Sequence, residues 1–309
     1  MAALAAGGGM ACPACAQSVA AREVLLHAFS KPLLWLGYDA MAEALARAGF
    51  NGIDLAVRPK GHVEPERAEV DLPRAVEAAR KQGLKVDMIV TALTAADEPF
   101  AERVLKTAAQ CGVGLYRMGY FRYDDALGVE GTIRKLHKQM AALEALNKAC
   151  GITGCYQNHY DWGAGLVGGP VWDLYYMLKG LDPKWVGCQY DICHAVSESG
   201  GSWAVALKLI APYIRSACLK DFSWAKKKEV WQPAPVFAGE GVVPWRRYFA
   251  LLSQLKLLGV PTSVHCEWTL FSPEEQALPE GERRALAVRK MKRDRDFFAA
   301  RFSEVPKKP

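Results

Sequence analysis

Residues 133–159 read IRKLHKQMAALEALNKACGITGCYQNH. Ile133, Leu136, Met140, Leu143 and Leu146 recur at spacings of three and four, so Ile133–Ala149 is expected to be a helix with one buried face. Gly151 stands just past the helix end, where a residue that tolerates left-handed backbone is favoured. A short apolar run then leads to a polar end, and Thr153–His159 is expected to be a strand. The unit is helix, glycine stop, strand, polar terminus.

Outward from this stretch the alternation recurs until the chain holds eight such units. Strands are expected at Leu25–Ser30, Gly52–Arg58, Lys85–Ala92, Gly114–Met118, Thr153–His159, Val186–Asp191, Ser216–Asp221 and Thr262–Trp268. Helices are expected at Asp39–Ala48, Pro73–Gln82, Pro99–Cys111, Ile133–Ala149, Val171–Leu181, Trp203–Tyr213, Trp245–Leu258 and Arg283–Phe302. Gly49, Gly83, Gly112 and Gly259 repeat the stop seen at Gly151. Alternating strands and helices require right-handed crossovers and a parallel sheet. Eight units over about 250 residues suit a closed (β/α)8 TIM barrel better than an open doubly wound sheet. No Gly-x-Gly-x-x-Gly stands at a strand-to-helix turn, which argues against a dinucleotide-binding fold. With no Pro-, Gly- or Ser-rich linker after Val24, residues 24–309 read as a single α/β barrel domain and residues 1–23 as a leader or signal-like segment.

The chain has 309 residues, 51% hydrophobic and 23% charged, a balance that suits one large core and excludes disordered and collagen-like classes. No segment offers the roughly 18 or more apolar residues of a membrane-spanning helix, so no membrane span is expected. The net charge of +6 gathers in Lys226, Lys227 and Lys228, in the final helix and in Lys307-Lys308, and reads as solvated surface. No arginine stripe with interleaved aromatics marks a groove for nucleic acid, so no such partner is expected. Nine cysteines, several inside apolar runs (Cys155, Cys188, Cys218, Cys266), read as buried free thiols. At the amino end, Ala14-Cys15-Ala16 has the small-x-small pattern of a signal-peptidase site and points to an exported or periplasmic protein. The missing charged n-region leaves a cytoplasmic location as the alternative. Cys12-Pro13-Ala14-Cys15 has redox spacing but no thioredoxin-like context. A homo-oligomer is compatible with this composition.

Alternate residues of a barrel strand face the lumen, which opens at the carboxyl ends of the strands. That parity turns inward Asp54 and Arg58 of the second strand, Arg117 of the fourth, and Gln157 and His159 of the fifth. It does the same for Gln189 and Asp191, Cys218 and Lys220, and His265 and Glu267 in the last three. Buried groups of this kind need partners or a ligand, and barrel enzymes keep their chemistry at this end. Asp54, Arg58, Arg117 and His265 are therefore expected to bind substrate, with Glu267, Lys220 and His159 as catalytic candidates, and Trp268, next to Glu267 at the strand end, is expected as a further substrate contact. Several readings stay open. Asp191 and His194, three apart, suit a divalent ion or a polyol, and equally a hydrogen-bonded turn. Lys220 can neutralise an enolate or pair with Glu267 or Asp221. Arg58, Arg117 and Arg122 can meet a phosphate or pair with Asp54, Asp87 or Asp124. Trp162, Trp203, Trp224 and Trp268 can offer sugar rings an apolar face or pack beneath loops. Long loops such as Arg58–Asp71 and Ser223–Pro244 are expected to form the lid that sets substrate choice.

Six strings now fall in one order: Gly49-Phe50-Asn51-Gly52-Ile53-Asp54-Leu55, Gln157-Asn158-His159, Asp191-x-x-His194, Leu219-Lys220-Asp221-Phe222, Gly239-Glu240-Gly241 and Glu267. In order and spacing they resemble the xylose isomerase-like barrel superfamily of sugar isomerases and epimerases, from about Leu25 to Phe302. The resemblance implies one divalent cation (manganese, magnesium or zinc) held by two glutamates, an aspartate and a histidine, with the glutamates exchanging a proton beside a ketose carbonyl. Carried over, Asp191 matches the aspartate, Glu267 the second glutamate and base, and His194 a substrate-contacting histidine. The first glutamate falls on Gln157, and the histidine two before Lys220 falls on Cys218. Gln157 keeps an oxygen but loses a charge and cannot accept a proton near neutral pH. Cys218 as a thiolate can bind a soft ion, or can simply fill a barrel layer. The implied metal set is Gln157, Asp191 and Glu267, with a neighbour such as His159 or His265.

The function expected is that of a sugar isomerase/epimerase-like enzyme on a small carbohydrate or keto-sugar. Glu267 or a nearby histidine removes a proton beside a carbonyl, and Lys220, a metal, or both stabilise the enediolate. Two alternatives are a lyase or deglycosidase acting on keto-glycosides and a degenerate sugar-binding barrel without turnover. An apurinic endonuclease of the same barrel class would need a cluster far richer in histidine than six residues allow.

Overall fold

The computed structural model describes residues 25–161, 163 and 165–305. Residues 1–24, with Cys12, Cys15 and the Ala14-Cys15-Ala16 pattern, lie outside the described residues, as does Trp162.

Eight strands run parallel and close into a barrel. They are β1 (Leu26–Phe29), β2 (Gly52–Ala56), β3 (Lys85–Val90), β4 (Leu115–Arg117), β5 (Thr153–Gln157), β6 (Val186–Asp191), β7 (Ile214–Leu219) and, after a separate antiparallel hairpin of β8 (Asp221–Lys227) and β9 (Val230–Val236), β10 (Thr262–Val264). Neighbours follow the order β1-β10-β7-β6-β5-β4-β3-β2, the right-handed winding of a (β/α)8 TIM barrel. Around it stand α1 (Tyr38–Arg47), α2 (Ala68–Lys81), α3 (Ala101–Gln110), α4 (Gly128–Cys150), α5 (Trp172–Leu178), α6 (Ile192–Ser199), α7 (Trp203–Ile210), α8 (Trp245–Gln254), α9 (Pro273–Gln276) and α10 (Glu280–Ser303).

Gly49, Gly83, Gly112 and Gly151 adopt left-handed backbone at the helix stops read from sequence. The stop expected at Gly259 falls elsewhere: α8 ends at Gln254, and Lys256 takes the left-handed turn at φ 60°. Three further departures shape the mouth of the barrel. α6 follows β6 directly. The segment expected to be a lid loop forms the β8–β9 hairpin. β10 ends at Val264, four residues before Trp268.

Apolar residues divide between two places. A large shell between strands and helices includes Ile53, Leu55, Leu105, Leu143, Leu207 and Phe298. A small cluster of Phe29, Ala56 and Val90 fills part of the lumen. At about 1.5–3 kcal/mol for each fully buried Leu or Phe, the shell carries most of the stabilisation, and the lumen is left free for polar groups. The seven described cysteines are free, and six of them are buried, as the apolar runs implied. Among the described residues no helix is long and apolar enough to cross a membrane.

Candidate active site

Strand register delivers the polar side chains to one end of the lumen. Arg117 pairs with Cys155, Gln157 with Gln189 and Asp191 with Cys218, so residues of equal parity face inward together. Arg117 Nη1 donates to Gln157 Oε1 at 2.8 Å, and the Tyr120 hydroxyl donates to the same oxygen at 2.6 Å. Gln157 Nε2 donates to Asp191 Oδ2 at 2.9 Å. Lys220 Nζ lies 3.3 Å from that Asp191 oxygen and 2.8 Å from Glu267 Oε2. Glu267 Oε1 is 3.8 Å from His265 Nδ1, and His265 Nε2 is 3.8 Å from Asp54 Oδ2, which accepts from the Ser263 hydroxyl at 2.7 Å. An unbroken chain of contacts therefore runs from Arg117 to Asp54. Arg58 completes it over the Phe29 ring, 5.6 Å from the centroid, and burial, then Arg117, pull its guanidinium below its ordinary value.

Asp191 and His194 form the hydrogen-bonded turn that their spacing allowed. Asp191 Oδ1 accepts from the His194 backbone N–H at 3.2 Å and caps the start of α6. Asn158 holds the Asp191 backbone from both sides, donating to its carbonyl at 2.9 Å and accepting from its N–H at 2.7 Å. His194 is fully buried with Nε2 3.2 Å from Asp191 Oδ2, but the angle is poor and neither ring nitrogen has a hydrogen-bond partner. It lies against His159 and Tyr160, with ring centroids 4.0 and 4.3 Å away.

Beyond β10 the chain turns tightly, with Glu267 N–H donating to His265 O at 3.0 Å, and this swings Glu267 over the mouth. The same turn corrects the expectation for Trp268. Its ring packs on Phe237 and its Nε1 donates to Asp294 Oδ2 of α10 at 2.7 Å, so it belongs to the shell and does not reach the cluster. Trp203 is likewise buried against Tyr248, while Trp224 sits exposed on the hairpin. Asp87 pairs with His27 at 2.9 Å and Asp124 lies 3.6 Å from Lys135.

Lys220 pairs with Glu267 and Asp191, and not with Asp221. Asp221 faces the other way and accepts from the backbone N–H of Phe222, Gly239, Gly241 and Val243 and from Trp245 Nε1. A Cβ at Gly241 would come within 2.1 Å of the Asp221 carboxylate, which explains the glycine of the Gly239-Glu240-Gly241 string.

Burial opposes charge on both Lys220 and Glu267, yet each outweighs it for the other. The Asp191 and Glu267 carboxylates hold the Lys220 ammonium well above its ordinary value, and Lys220 with His265 holds the Glu267 carboxyl well below the usual range. Burial, then Lys220, pulls His159 down to about 4, so its imidazole is neutral at pH 7. His159 Nδ1 donates to the Tyr160 carbonyl at 2.9 Å, which leaves Nε2 as the nitrogen with a free lone pair. Burial pushes the Cys218 thiol well up, with Asp191 adding to the shift, so it stays protonated. Tyr120, Asn158 and Tyr160 were missed from sequence. Tyr120 follows Arg117 by three in a loop, and nothing in its neighbours distinguishes it from a packing tyrosine.

The profile of the xylose isomerase-like TIM barrel family matches residues 42–290. The chain belongs to this family. No curated protein matches the sequence. Among solved structures, the family's barrel recurs in the IOLI protein with a bound zinc atom, at TM-score 0.68 and 14% identity over 92% of this chain and 99% of that one. The 3-keto-D-glucoside 4-epimerase YcjR of E. coli, in its apo form, aligns at TM-score 0.60 and 14% identity over 86% and 99%. A xylose isomerase-like TIM barrel protein of Mycobacterium smegmatis, in complex with magnesium, aligns at 0.56 and 15% over 86% and 89%. At these identities the likeness concerns the fold. Zinc and magnesium in two of these barrels raise the question of whether the donors here suit a cation. Asp191, Cys218 and His265 offer ligand atoms within 4.8 Å of one another. Against them, Gln157 turns its NH2 to Asp191 and spends its oxygen on Arg117 and Tyr120, Cys218 is a thiol, and an ammonium already stands between Asp191 and Glu267. As arranged, this set does not fit a divalent ion.

Proposed function

We propose that this barrel is a sugar isomerase/epimerase-like enzyme that removes a proton from the carbon beside the carbonyl of a keto-sugar. One observation carries the reading: a carboxylate and a cation meet at the open end of the lumen, 2.8 Å apart, with a neutral histidine beside them. Glu267 is the carboxylate that substrate can reach, its side chain 24% exposed while that of Asp191 is fully buried. In this mechanism Glu267 takes the carbon-bound proton as the C–H electron pair forms the enediolate. Charge leaves the carboxylate as it appears on the substrate oxygen, and both sites border the Lys220 ammonium, so the net charge beside it is unchanged. His159 accepts and returns the hydroxyl proton through Nε2. Asp54, Arg58, Arg117, His194 and His265 bind the sugar.

Gln157 cannot be a second base. Return of the proton to the neighbouring carbon gives isomerisation, protonation of the same carbon on its opposite face, by an acid other than Glu267, gives epimerisation, and expulsion of a β-substituent gives elimination. Incubating a keto-sugar panel with the protein in D2O and reading the products by NMR tests the proposal. Deuterium at the carbon beside the carbonyl is expected, with exchange about 10³-fold slower in Glu267→Gln. A panel that shows neither exchange nor product sinks it.

A further inference from the structure

We infer that Lys220 is the barrel's built-in cation: its ammonium supplies the positive charge at the reacting carbonyl, and the site works without a divalent ion. The inference rests on the enolisation chemistry proposed above for what the charge does, but on geometry alone for where the charge is.

The ammonium sits at the meeting point of two carboxylates, 3.3 Å from Asp191 Oδ2 and 2.8 Å from Glu267 Oε2, with its side chain 4% exposed. That is the place where a metal would have to bind in order to use both acids. Further donors also hold Asp191 in place. Oδ1 accepts from the His194 N–H, Oδ2 also accepts from Gln157 Nε2, and the backbone carbonyl accepts from Asn158. The Gln157 amide cannot be reversed to offer its oxygen. Reversal would set that oxygen against Asp191 Oδ2 and its NH2 against the Arg117 guanidinium, replacing two attractive contacts by two repulsive ones.

Charge balance points the same way. Three acids, Asp54, Asp191 and Glu267, border three bases, Arg58, Arg117 and Lys220, in one connected cluster. A dication added to it would bring two positive charges with no anion to answer them, in surroundings where unpaired charge is costly. A single ammonium fixed between two carboxylates also has N–H geometry suited to a substrate oxygen. As Glu267 takes up a proton, the N–H it releases can turn to the enediolate.

The test needs no substrate. Full-length protein is dialysed against chelator, titrated calorimetrically with MnCl2, ZnCl2 or MgCl2, and assayed for metal after gel filtration. No saturable binding below about 1 mM is expected for the wild type. Lys220→Met, which leaves Asp191 and Glu267 facing each other without a cation, is expected to take up about one equivalent of Mn²⁺ or Zn²⁺ at least tenfold more tightly. Lys220→Arg, which keeps the charge, is expected to behave as the wild type. Uptake of about one equivalent by the wild type at micromolar metal, abolished by Asp191→Asn, would overturn the inference even if Lys220→Met fails to fold. Absence of deuterium exchange in the wild type would instead count against the proposed reaction, leaving the metal result to stand alone.

Discussion

Asp191 and Asp221 are both buried aspartates at the carboxyl ends of adjacent barrel strands, and they are satisfied in opposite ways. Asp221 accepts from four backbone N–H groups and one indole N–H, all neutral and all fixed by the fold. It ties the end of β7 to the segment that returns from the hairpin. Asp191 shares its inward oxygen with the side-chain ends of Gln157 and Lys220, and beside it His194 keeps both ring nitrogens without a hydrogen bond. Backbone donors make a carboxylate structural, because nothing can be exchanged without unfolding the loop. Side-chain donors link it to the lumen, because Lys220 can turn an N–H toward a substrate oxygen without any backbone unfolding.

The sharpest way to break this comparison is a pair of substitutions. Asp221→Ala leaves five donors unanswered and is expected to lower stability by about 3 kcal/mol or more, with kcat of the folded fraction nearly unchanged. Asp191→Ala is expected to reduce kcat more than its loss of stability explains. Denaturant melts alongside single-turnover assays check both, and equal losses of activity in the two variants would erase the distinction.

Asp294 offers a smaller test on a third buried carboxyl. Burial pushes it up to about 6 against the pull of the Trp268 indole and the Ala238 N–H. The folded chain therefore holds this proton at a pH where the unfolded chain, near 3.9, has lost it. The contribution is complete below about pH 4 and lost as pH rises through about 6. Between pH 7 and pH 5 the wild type should gain about 1 kcal/mol relative to Asp294→Asn, read from urea midpoints. A pH-independent difference between the two proteins would show that Asp294 is answered as fully as Asp221. The smallest effect is expected at Cys218, a protonated thiol: Cys218→Ser should change kcat/KM by less than about threefold, and a larger loss would restore the sulfur to the chemistry.

Much of the barrel was legible because its periods are local. The three-and-four spacing of Ile133 to Leu146, the glycine stops and the apolar runs each depend on residues within one or two turns, so eight units and their inward faces followed from the sequence. The hairpin did not: Ser223–Pro244 was read as a long loop, and Pro233 and Pro235 interrupt the local signal of a strand there. They are tolerated in a two-stranded ribbon whose outer edge needs no N–H donors. Trp268 was misplaced against its own parity: it alternates with the inward His265 and Glu267, shares the outward side of Val264 and Cys266, and was grouped with the site only for its nearness to Glu267.

By itself the sequence determined which residues enter the lumen, since parity along a strand is a matter of neighbouring bonds: Asp54, Arg117, Gln157, Asp191, Lys220 and Glu267 were named on that ground. Only the tertiary structure decided what each one faces. It turned the Gln157 amide toward Asp191 through Arg117 of β4 and Tyr120 of the loop that follows, and set Lys220 between acids from β6 and from the turn beyond β10 rather than beside adjacent Asp221. Partners separated by 29 to 47 positions meet through barrel closure and register, and no local pattern encodes that meeting.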